Sequence, residues 1–269
     1  ITGQLGVLGT ELTAEGPISR KAGSSYLVNY RYSTLQMFQA IGLQLGTSSV
    51  PQYQDASFKL HFPISPKAEL SFFGLGGLSR IDLIVSTLTD PESQLYGESD
   101  RDQYFKAGSG VVGGTFGYTI NDKTYMRLAV AQSASNVWAQ HIKVFRSPSF
   151  KVDSMKDVLG YEFTEATTVA HWYINHKLSP RKTLKYGIVN KYFAVNYADS
   201  SRQYPTSRQD WQLREDYKGG TNLVQAYIQY KMRPSGTLAV TGGLHAQYLT
   251  HNGSKSLEPR IGMRWAMSE

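Results

Sequence analysis

The stretch from Thr237 to Tyr248 alternates between two kinds of side chain at every residue. One set of positions is Leu238, Val240, Gly242, Leu244, Ala246 and Tyr248, and the other is Thr237, Ala239, Thr241, Gly243, His245 and Gln247. Because successive side chains of a strand point to opposite faces, alternation of this length predicts a long antiparallel strand. The preceding Arg233-Pro234-Ser235-Gly236 has the composition of a tight turn.

The same alternation recurs along the whole chain. The apolar positions of five further segments are Ala56, Phe58, Leu60 and Phe62; Val112, Gly114, Phe116, Tyr118 and Ile120; Ala166, Ala170, Trp172, Ile174 and Leu178; Val224, Ala226, Ile228, Tyr230 and Met232; and Leu257, Ile261, Met263 and Trp265. The intervening positions carry long charged and amide side chains, as a water-filled or plugged lumen requires. We therefore predict an all-β fold, a transmembrane antiparallel β-barrel.

Ten polar residues at the intervening positions are predicted to line the lumen or to face a plug. They are Asp55, Lys59, His61, Gln225, Gln229, Lys231, His245, Gln247, Arg260 and Arg264. They are expected to form hydrogen bonds with the plug or to line the path, and not to act as catalytic residues.

The connections alternate between short and long. Short polar turns are predicted at Ile64–Lys67, Asn121–Thr124, Ser179–Lys182 and Arg233–Gly236, and long irregular stretches at Thr34–Gln52, Ser86–Phe105, Arg146–Leu159 and Ser200–Asp210. Short turns on one side and long loops on the other are typical of barrels in the outer membrane of Gram-negative bacteria. Aromatic residues near the short turns, such as Trp172 and Tyr230, fit a membrane interface.

The strand count predicts an incomplete barrel. Counting hairpins gives about eleven strands, several near twenty residues long, although about 9–11 residues suffice to cross a bilayer. Bacterial single-chain barrels have even strand numbers, and an open edge in lipid leaves backbone groups unpaired. An odd count therefore indicates a partial barrel.

Composition excludes several classes. No window approaches the apolar length of a transmembrane helix. A net charge of +7 without a basic run argues against nucleic-acid binding. The chain contains no Cys, and a barrel whose strands are closed by their own hydrogen bonds does not need disulfides.

Three segments resemble TonB-dependent outer-membrane receptors of the Bacteroidetes type, the group with a carboxypeptidase-regulatory-like domain. They are Glu15–Ile18 leading into Gly23–Leu35, then Val50–Leu60, and Ser256–Trp265. The resemblance implies a 22-stranded barrel filled by a plug, and active import of a nutrient driven by the inner-membrane TonB–ExbB–ExbD complex. We therefore expect residues 1–269 to be about half of a barrel, with the plug, the TonB-contacting segment and the remaining strands outside them.

Catalytic and metal sites are not expected. The six His residues show no HExxH spacing, and no GxSxG elbow accompanies Asp82, Asp210 and His251, the candidate acid–base residues. No cofactor is predicted either. The Gly-rich runs at Gly74–Gly77 and Val111–Gly114 lack the Lys-Ser/Thr ending of a phosphate loop, so we interpret them as strand bends or sites of close packing.

Two loops carry further hypotheses. Thr34–Gly42 has Leu35, Phe38 and Ile41 at helical spacing, and the hypotheses for this short helix are contact with the barrel mouth, contact with a surface lipoprotein, or packing against neighbouring loops. Asp90–Arg101 is acidic, and the hypotheses for it are a lid and, as the default, a solvated surface loop. Two alternatives to active import stay open: a passive pore or barrel subunit of a larger outer-membrane complex, and a soluble glycan-binding β-sandwich.

Overall fold

The chain folds into one antiparallel sheet whose twelve strands follow one another in sequence order. The computed structural model describes residues 1–6, 9–33, 51–89, 97–203 and 210–267. The strands are β1 (Thr2–Leu5), β2 (Thr10–Ser19), β3 (Ser24–Tyr32), β4 (Gln52–Ser65), β5 (Ala68–Leu83), β6 (Arg101–Asn121), β7 (Thr124–Arg146), β8 (Val152–Ser179), β9 (Lys182–Ser201), β10 (Gln212–Met232), β11 (Leu238–Leu249) and β12 (Lys255–Trp265). This is the predicted fold class, a section of a barrel wall. No helix long and apolar enough to cross a membrane occurs in the described residues.

The register keeps like side chains together across strands. Leu70 lies opposite Phe116, and Phe116 opposite Leu128. The same row continues through Trp172 to Ile188. We call the side of the sheet that carries this row the apolar face and the other side the polar face.

The apolar stretch shifts along the register from strand to strand. On β5 the apolar face is uncharged from Leu70 to Leu78, but the position of β10 in the same row as Leu78 is Lys218. The apolar stretch of β10 begins at Val224 and reaches Met232. Strands that tilt relative to the axis of a barrel produce such a drift, because a row perpendicular to the strands then rises along that axis.

The five middle strands are long. β6 has 21 residues, β7 23, β8 28, β9 20 and β10 21, whereas about 9–11 tilted residues cross a bilayer. The excess lies at the end of the sheet opposite the short turns, where β8 extends back to Val152.

The four predicted short turns are confirmed, at 66–67, 122–123, 180–181 and 233–237. We call this the short-turn end of the sheet. A fifth turn, 20–23, lies on the same end and was not predicted; Gly23 has φ 67°, a conformation that glycine adopts without strain.

Two predicted long loops are partly strand, and these predictions were wrong. β8 begins at Val152, so the connection expected over Arg146–Leu159 is only 147–151. A bulge hid the strand, because His141 pairs with Leu159 while Ile142 pairs with Asp157, and the extra residue breaks the alternation. The stretch Ser86–Phe105 likewise ends in strand, since β6 starts at Arg101.

The strand count also differs from the prediction. The structure has twelve strands, because the short β1 pairs with β2 from Thr2 to Leu5 and is too brief to show alternation. The argument from an odd count therefore fails, although the partial barrel stands. The predicted helix at Thr34–Gly42 and most of the predicted lid at Asp90–Arg101 lie outside the described residues.

Buried apolar residues concentrate at the end opposite the short turns. Leu83, Val85, Ala139, Val144 and Val158 form this end cluster. Asp102 fixes the connection after β5 beside it, because its carboxylate accepts hydrogen bonds from the Val85 and Ser86 amides at 2.8 Å each and from the Ser86 hydroxyl at 2.7 Å.

Candidate functional site

All ten sequence-predicted lumen residues lie on the polar face, in two groups. Asp55, Lys59 and His61 are on β4, and the other seven are on β10, β11 and β12. Five strands, β5 to β9, separate the groups. At about 4.8 Å per strand, the groups cannot contact each other along the sheet. The polar face is therefore a long surface and not one compact site.

The β4 group borders a cavity of about 1060 Å³. His61 Nδ1 lies 3.0 Å from the Ser71 hydroxyl, a hydrogen bond within the sheet. Across the cavity, the Tyr125 hydroxyl donates to the Glu69 carboxylate at 3.2 Å and Arg127 Nη2 donates to the Thr115 hydroxyl at 3.2 Å. The wall thus presents both donors and acceptors to whatever fills this space.

Further along the same wall, Asp55 is already engaged. Its carboxylate lies 2.7 Å from Arg31 Nη2 and accepts from Arg31 Nε at 2.8 Å. Lys59 has no carboxylate partner in the described part of the chain, so its charge is available to a group outside the sheet.

In the second group, the Glu258 carboxylate lies between Arg260 and His245. Arg260 Nη2 donates to Glu258 Oε2 at 2.6 Å, and His245 Nδ1 lies 3.5 Å from the same oxygen. Gln225 Nε2 donates to Gln247 Oε1 at 3.4 Å. A neighbouring cavity of about 510 Å³ is bordered by His245, Arg260 and Gln229.

The half of the polar face nearer the short turns carries more cations than carboxylates. The cations are Lys59, Arg127, Lys177, Lys185, Lys191, Lys231, Arg260 and Arg264, and the carboxylates are Glu15, Glu69 and Glu258. A surface of this sign favours contact with carboxylates or other anions.

The opposite half of the polar face is aromatic, and the sequence reasoning missed it. The rings of Tyr161 and Phe163 stack at 4.9 Å, and Phe163 meets Tyr197 edge-on at 5.2 Å. Tyr197 donates a hydrogen bond to Glu165, and Tyr217 lies opposite Tyr197 in the same row. The two-residue spacing of Tyr161 and Phe163 could have revealed this aromatic surface. It was missed because the predicted strand began only at Ala166.

His141 is buried at the edge of the end cluster, with 9% of its surface exposed. Neither ring nitrogen has a hydrogen-bond partner among the described residues, and the Phe105 ring meets it edge-on at 5.4 Å. Burial lowers the pKa of His141, the charge of Arg101 lowers it further, and Glu98 opposes both. The imidazole is therefore neutral near pH 7.

The structure supplies no constellation for metal binding within its described residues: no three His, Asp or Glu side chains converge there. Asp82 accepts hydrogen bonds from Arg80 at 2.9 and 3.0 Å. It lies five strands from β10, near which Asp210 is found, while His251 is in the connection after β11. These three residues are not brought together.

Known proteins resemble this chain in fold but not in sequence. No protein-family model matches the chain, and no curated protein matches its sequence. Solved outer-membrane proteins share its fold. The siderophore receptor PirA from Acinetobacter baumannii superposes with a TM-score of 0.59 and 12% identity, over 99% of this chain and 40% of PirA.

Two further structures show the same relation. The outer-membrane transporter YddB from Escherichia coli has a TM-score of 0.63 and 9% identity, over 96% of this chain and 36% of its own length. FpvA from Pseudomonas aeruginosa, solved as a pyoverdine–Fe complex, has a TM-score of 0.67 and 11% identity, over 97% and 38%. The chain thus spans about two fifths of each of these proteins, and its twelve strands have the fold of a section of such a barrel wall.

Proposed function

We propose that this chain is part of the barrel wall of a TonB-dependent transporter in the outer membrane of a Gram-negative bacterium. The observation that carries the proposal is the two-faced wall. One face carries the large apolar side chains, continuously from Val224 to Met232 on β10, and the other is lined by charged and amide side chains. The role is import and not catalysis.

The arrangement of the wall supports a filled lumen. The ten predicted residues point to the side where a plug would lie, and the half of that side nearer the short turns is cationic. The cavity of about 1060 Å³ beside Lys59 and His61 leaves room for a packed partner. We propose that the plug of the same protein meets this half through carboxylates, and that movement of the plug opens the passage.

The imported compound is a scarce nutrient bound on the extracellular side. A siderophore fits the receptors that share the fold, PirA by its description and FpvA by its bound pyoverdine. The aromatic rows of β8 and β9 supply stacking surfaces for a ligand with rings. Coupling to TonB–ExbB–ExbD, and the Bacteroidetes type of receptor with a possible surface lipoprotein, belong to the same proposal.

Conductance and TonB binding test the proposal without knowledge of the nutrient. We expect the intact protein, reconstituted in a planar lipid bilayer, to carry no steady ionic current, because a plug fills the lumen. We also expect it to bind the purified periplasmic domain of TonB.

Steady conductance without TonB binding would replace import by a passive pore. An intact protein that is monomeric in water without detergent would instead favour the soluble glycan-binding sandwich.

A labelling experiment tests which face meets water. Both variants are treated in lipid vesicles under the same conditions: Gln229→Cys on the polar face should react with a membrane-impermeant maleimide once the plug is denatured, whereas Ile228→Cys on the apolar face should stay unreacted. Equal reaction at the two adjacent positions would contradict the assignment of the faces.

A further inference from the structure

The apolar face is not uniform, because a groove crosses it over four strands. Its floor is a row of small residues in direct register: Ala56 opposite Gly76, Gly76 opposite Gly110, and Gly110 opposite Ala134. The space above this floor is about 530 Å³, and Tyr30 and Leu78 stand at its border. We call it the β4–β7 groove.

Neighbouring side chains explain why the floor stays bare. Phe58 lies over Gly74, since a Cβ on that glycine would collide with the Phe58 ring, and Leu78 lies over Gly108, where a Cβ would fall 2.9 Å from the Leu78 side chain. A Cβ on Gly76 or Gly110 would meet only backbone, at 3.3 and 3.2 Å. The two glycines between Phe58 and Leu78 are therefore uncovered, and their backbone forms the bottom of a trough.

A second depression of about 420 Å³ continues the groove toward the end opposite the short turns. The two share Gln54, Leu78, Gly108 and Asn136 along their common border. The second is polar at its far side, where Arg80 and Lys106 lie opposite each other on β5 and β6. An apolar trough thus leads directly to a charged rim.

The rim carries a net positive charge. Arg80 is neutralised by Asp82, whose carboxylate lies 2.6 Å from its Nη2. Lys106 has no carboxylate partner in the described part of the chain, and its Nζ lies 4.7 Å from the centre of the Trp138 ring. The ammonium is therefore held at the edge of the groove by the ring and is free to pair with an anion.

We propose that the β4–β7 groove binds a phosphate-bearing, multiply acylated lipid of the outer leaflet, with acyl chains on the glycine and alanine floor and a phosphate against Lys106. This rests on the proposed function, which puts the apolar face in the outer membrane and the rim on its extracellular side. Arg80 and Lys106 are the first charged residues beyond the apolar stretches of β5 and β6, the level at which lipid phosphates lie.

The charge of the rim favours a lipid over a second copy of the chain. A twofold contact between two β4–β7 grooves would place equivalent surfaces against each other, so that the cationic rims lie close together or lose their water without a counter-charge. A phosphate supplies that counter-charge, and a flexible acyl chain fits a shallow trough that has no deep side-chain pockets.

The experiment measures binding of bisphosphorylated lipid A to the intact, detergent-purified protein by native mass spectrometry. We expect one lipid to bind, and dephosphorylated lipid A to bind about tenfold more weakly, since a charge-assisted contact is lost. Lys106→Gln should give the same tenfold loss. Lys218→Gln, on the same side of the sheet four strands away, is the matched control and should bind normally.

A second pair of variants tests the groove itself. Ala134→Leu fills the floor without adding a side chain to a glycine, and it should reduce lipid A binding. Ala194→Leu lies in the same register row but two strands beyond the groove, and it should have no effect. Gel mobility of the unheated protein verifies that each variant is folded.

Two outcomes overturn the proposal: equal binding by Lys106→Gln and Lys218→Gln, or equal binding by Ala134→Leu and Ala194→Leu. Dimers that Ala134→Leu abolishes, without any bound lipid, would make a second copy the occupant. The proposed function fails separately, through conductance without TonB binding or through solubility without detergent, so the two failures are distinguishable.

Discussion

The side chains on the two faces of the sheet need different surroundings. On the apolar face, large side chains in the middle of the sheet, such as Ile188, Ile228 and Leu244, keep nearly half of their surface exposed and pack against no second layer in the described residues. On the polar face, neighbouring side chains bond to one another, as His61 does to Ser71 and Arg260 to Glu258. One face needs only an apolar surrounding, whereas the other needs particular partners.

This difference explains how a sheet with so small a core holds together. The fully buried apolar residues belong to the end cluster, while the rest of the described wall depends on its backbone ladder. In lipid that ladder is strong, because no water competes for the amide groups. Substitutions should therefore have opposite effects on the two faces.

The largest expected difference comes from a charge placed on each face of β10. Ile228→Arg should destabilise the membrane-inserted protein by about 2–4 kcal/mol, the cost of a cation near the middle of the bilayer. Gln229→Arg, one residue away, points to the polar face and should assemble normally. Folded protein recovered in outer membranes measures both. Normal assembly of Ile228→Arg would mean that the faces are assigned the wrong way round.

A smaller difference separates two glycines. A Cβ on Gly187, on the polar face, would fall 2.5 Å from the backbone oxygen of Trp172, whereas a Cβ on Gly242, on the apolar face, would have nothing within 4 Å. Gly187→Ala should therefore cost about 1–3 kcal/mol from overpacking.

Gly242→Ala is the control and should be neutral or stabilising by up to about 1 kcal/mol, because it restricts the unfolded chain. Urea unfolding of the intact protein in lipid vesicles measures both free energies. Equal stability of the two variants would contradict the close approach of the Trp172 backbone oxygen to the Gly187 position.

The smallest effect concerns the end of the polar face at His141. Its pKa is below the ordinary value of 6.5, so the unfolded chain binds a proton that the folded protein does not. The stabilisation is complete above pH 6.5 and is lost as the pH falls toward and through the lowered pKa. Amide exchange around Gln103 and His141, corrected for intrinsic rates, should therefore rise on acidification.

His141→Leu keeps the buried volume and removes the titrating group, so its exchange should not depend on pH in this range. An unchanged pH dependence in this variant would assign the effect to another group, such as Asp100, which accepts from Arg101 and Lys143.

Regular alternation was readable from sequence, and departures from it were not. The two faces of β10, β11 and β12 were readable because apolar residues recur at every second position, and Pro234 and Gly236 mark the turn between β10 and β11. β8 was cut short because the bulge at Val158 shifts the pattern by one residue. The start of β6 was missed because Asp102 and Gln103 are polar yet buried, satisfied by the amides of neighbouring connections.

The candidate site divides in the same way. The ten polar positions could be assigned to one face from their spacing alone, because period-two geometry fixes the side on which each residue lies. The Arg31–Asp55 pair, the aromatic row through Phe163 and Tyr197, and the cavity beside Lys59 depend on which residues of different strands lie opposite each other. The sequence of a single strand does not determine that register.

The sequence by itself determined that this protein builds a long two-faced antiparallel wall, since side-chain alternation is a local property of each strand. Only the tertiary structure decided which residues meet across strands, where bulges shift the register, and that Phe58 and Leu78 leave Gly76 and Gly110 uncovered. Those features arise from pairing between residues far apart in the chain, and the physical reason is that hydrogen-bond register, unlike alternation, is a property of two strands together.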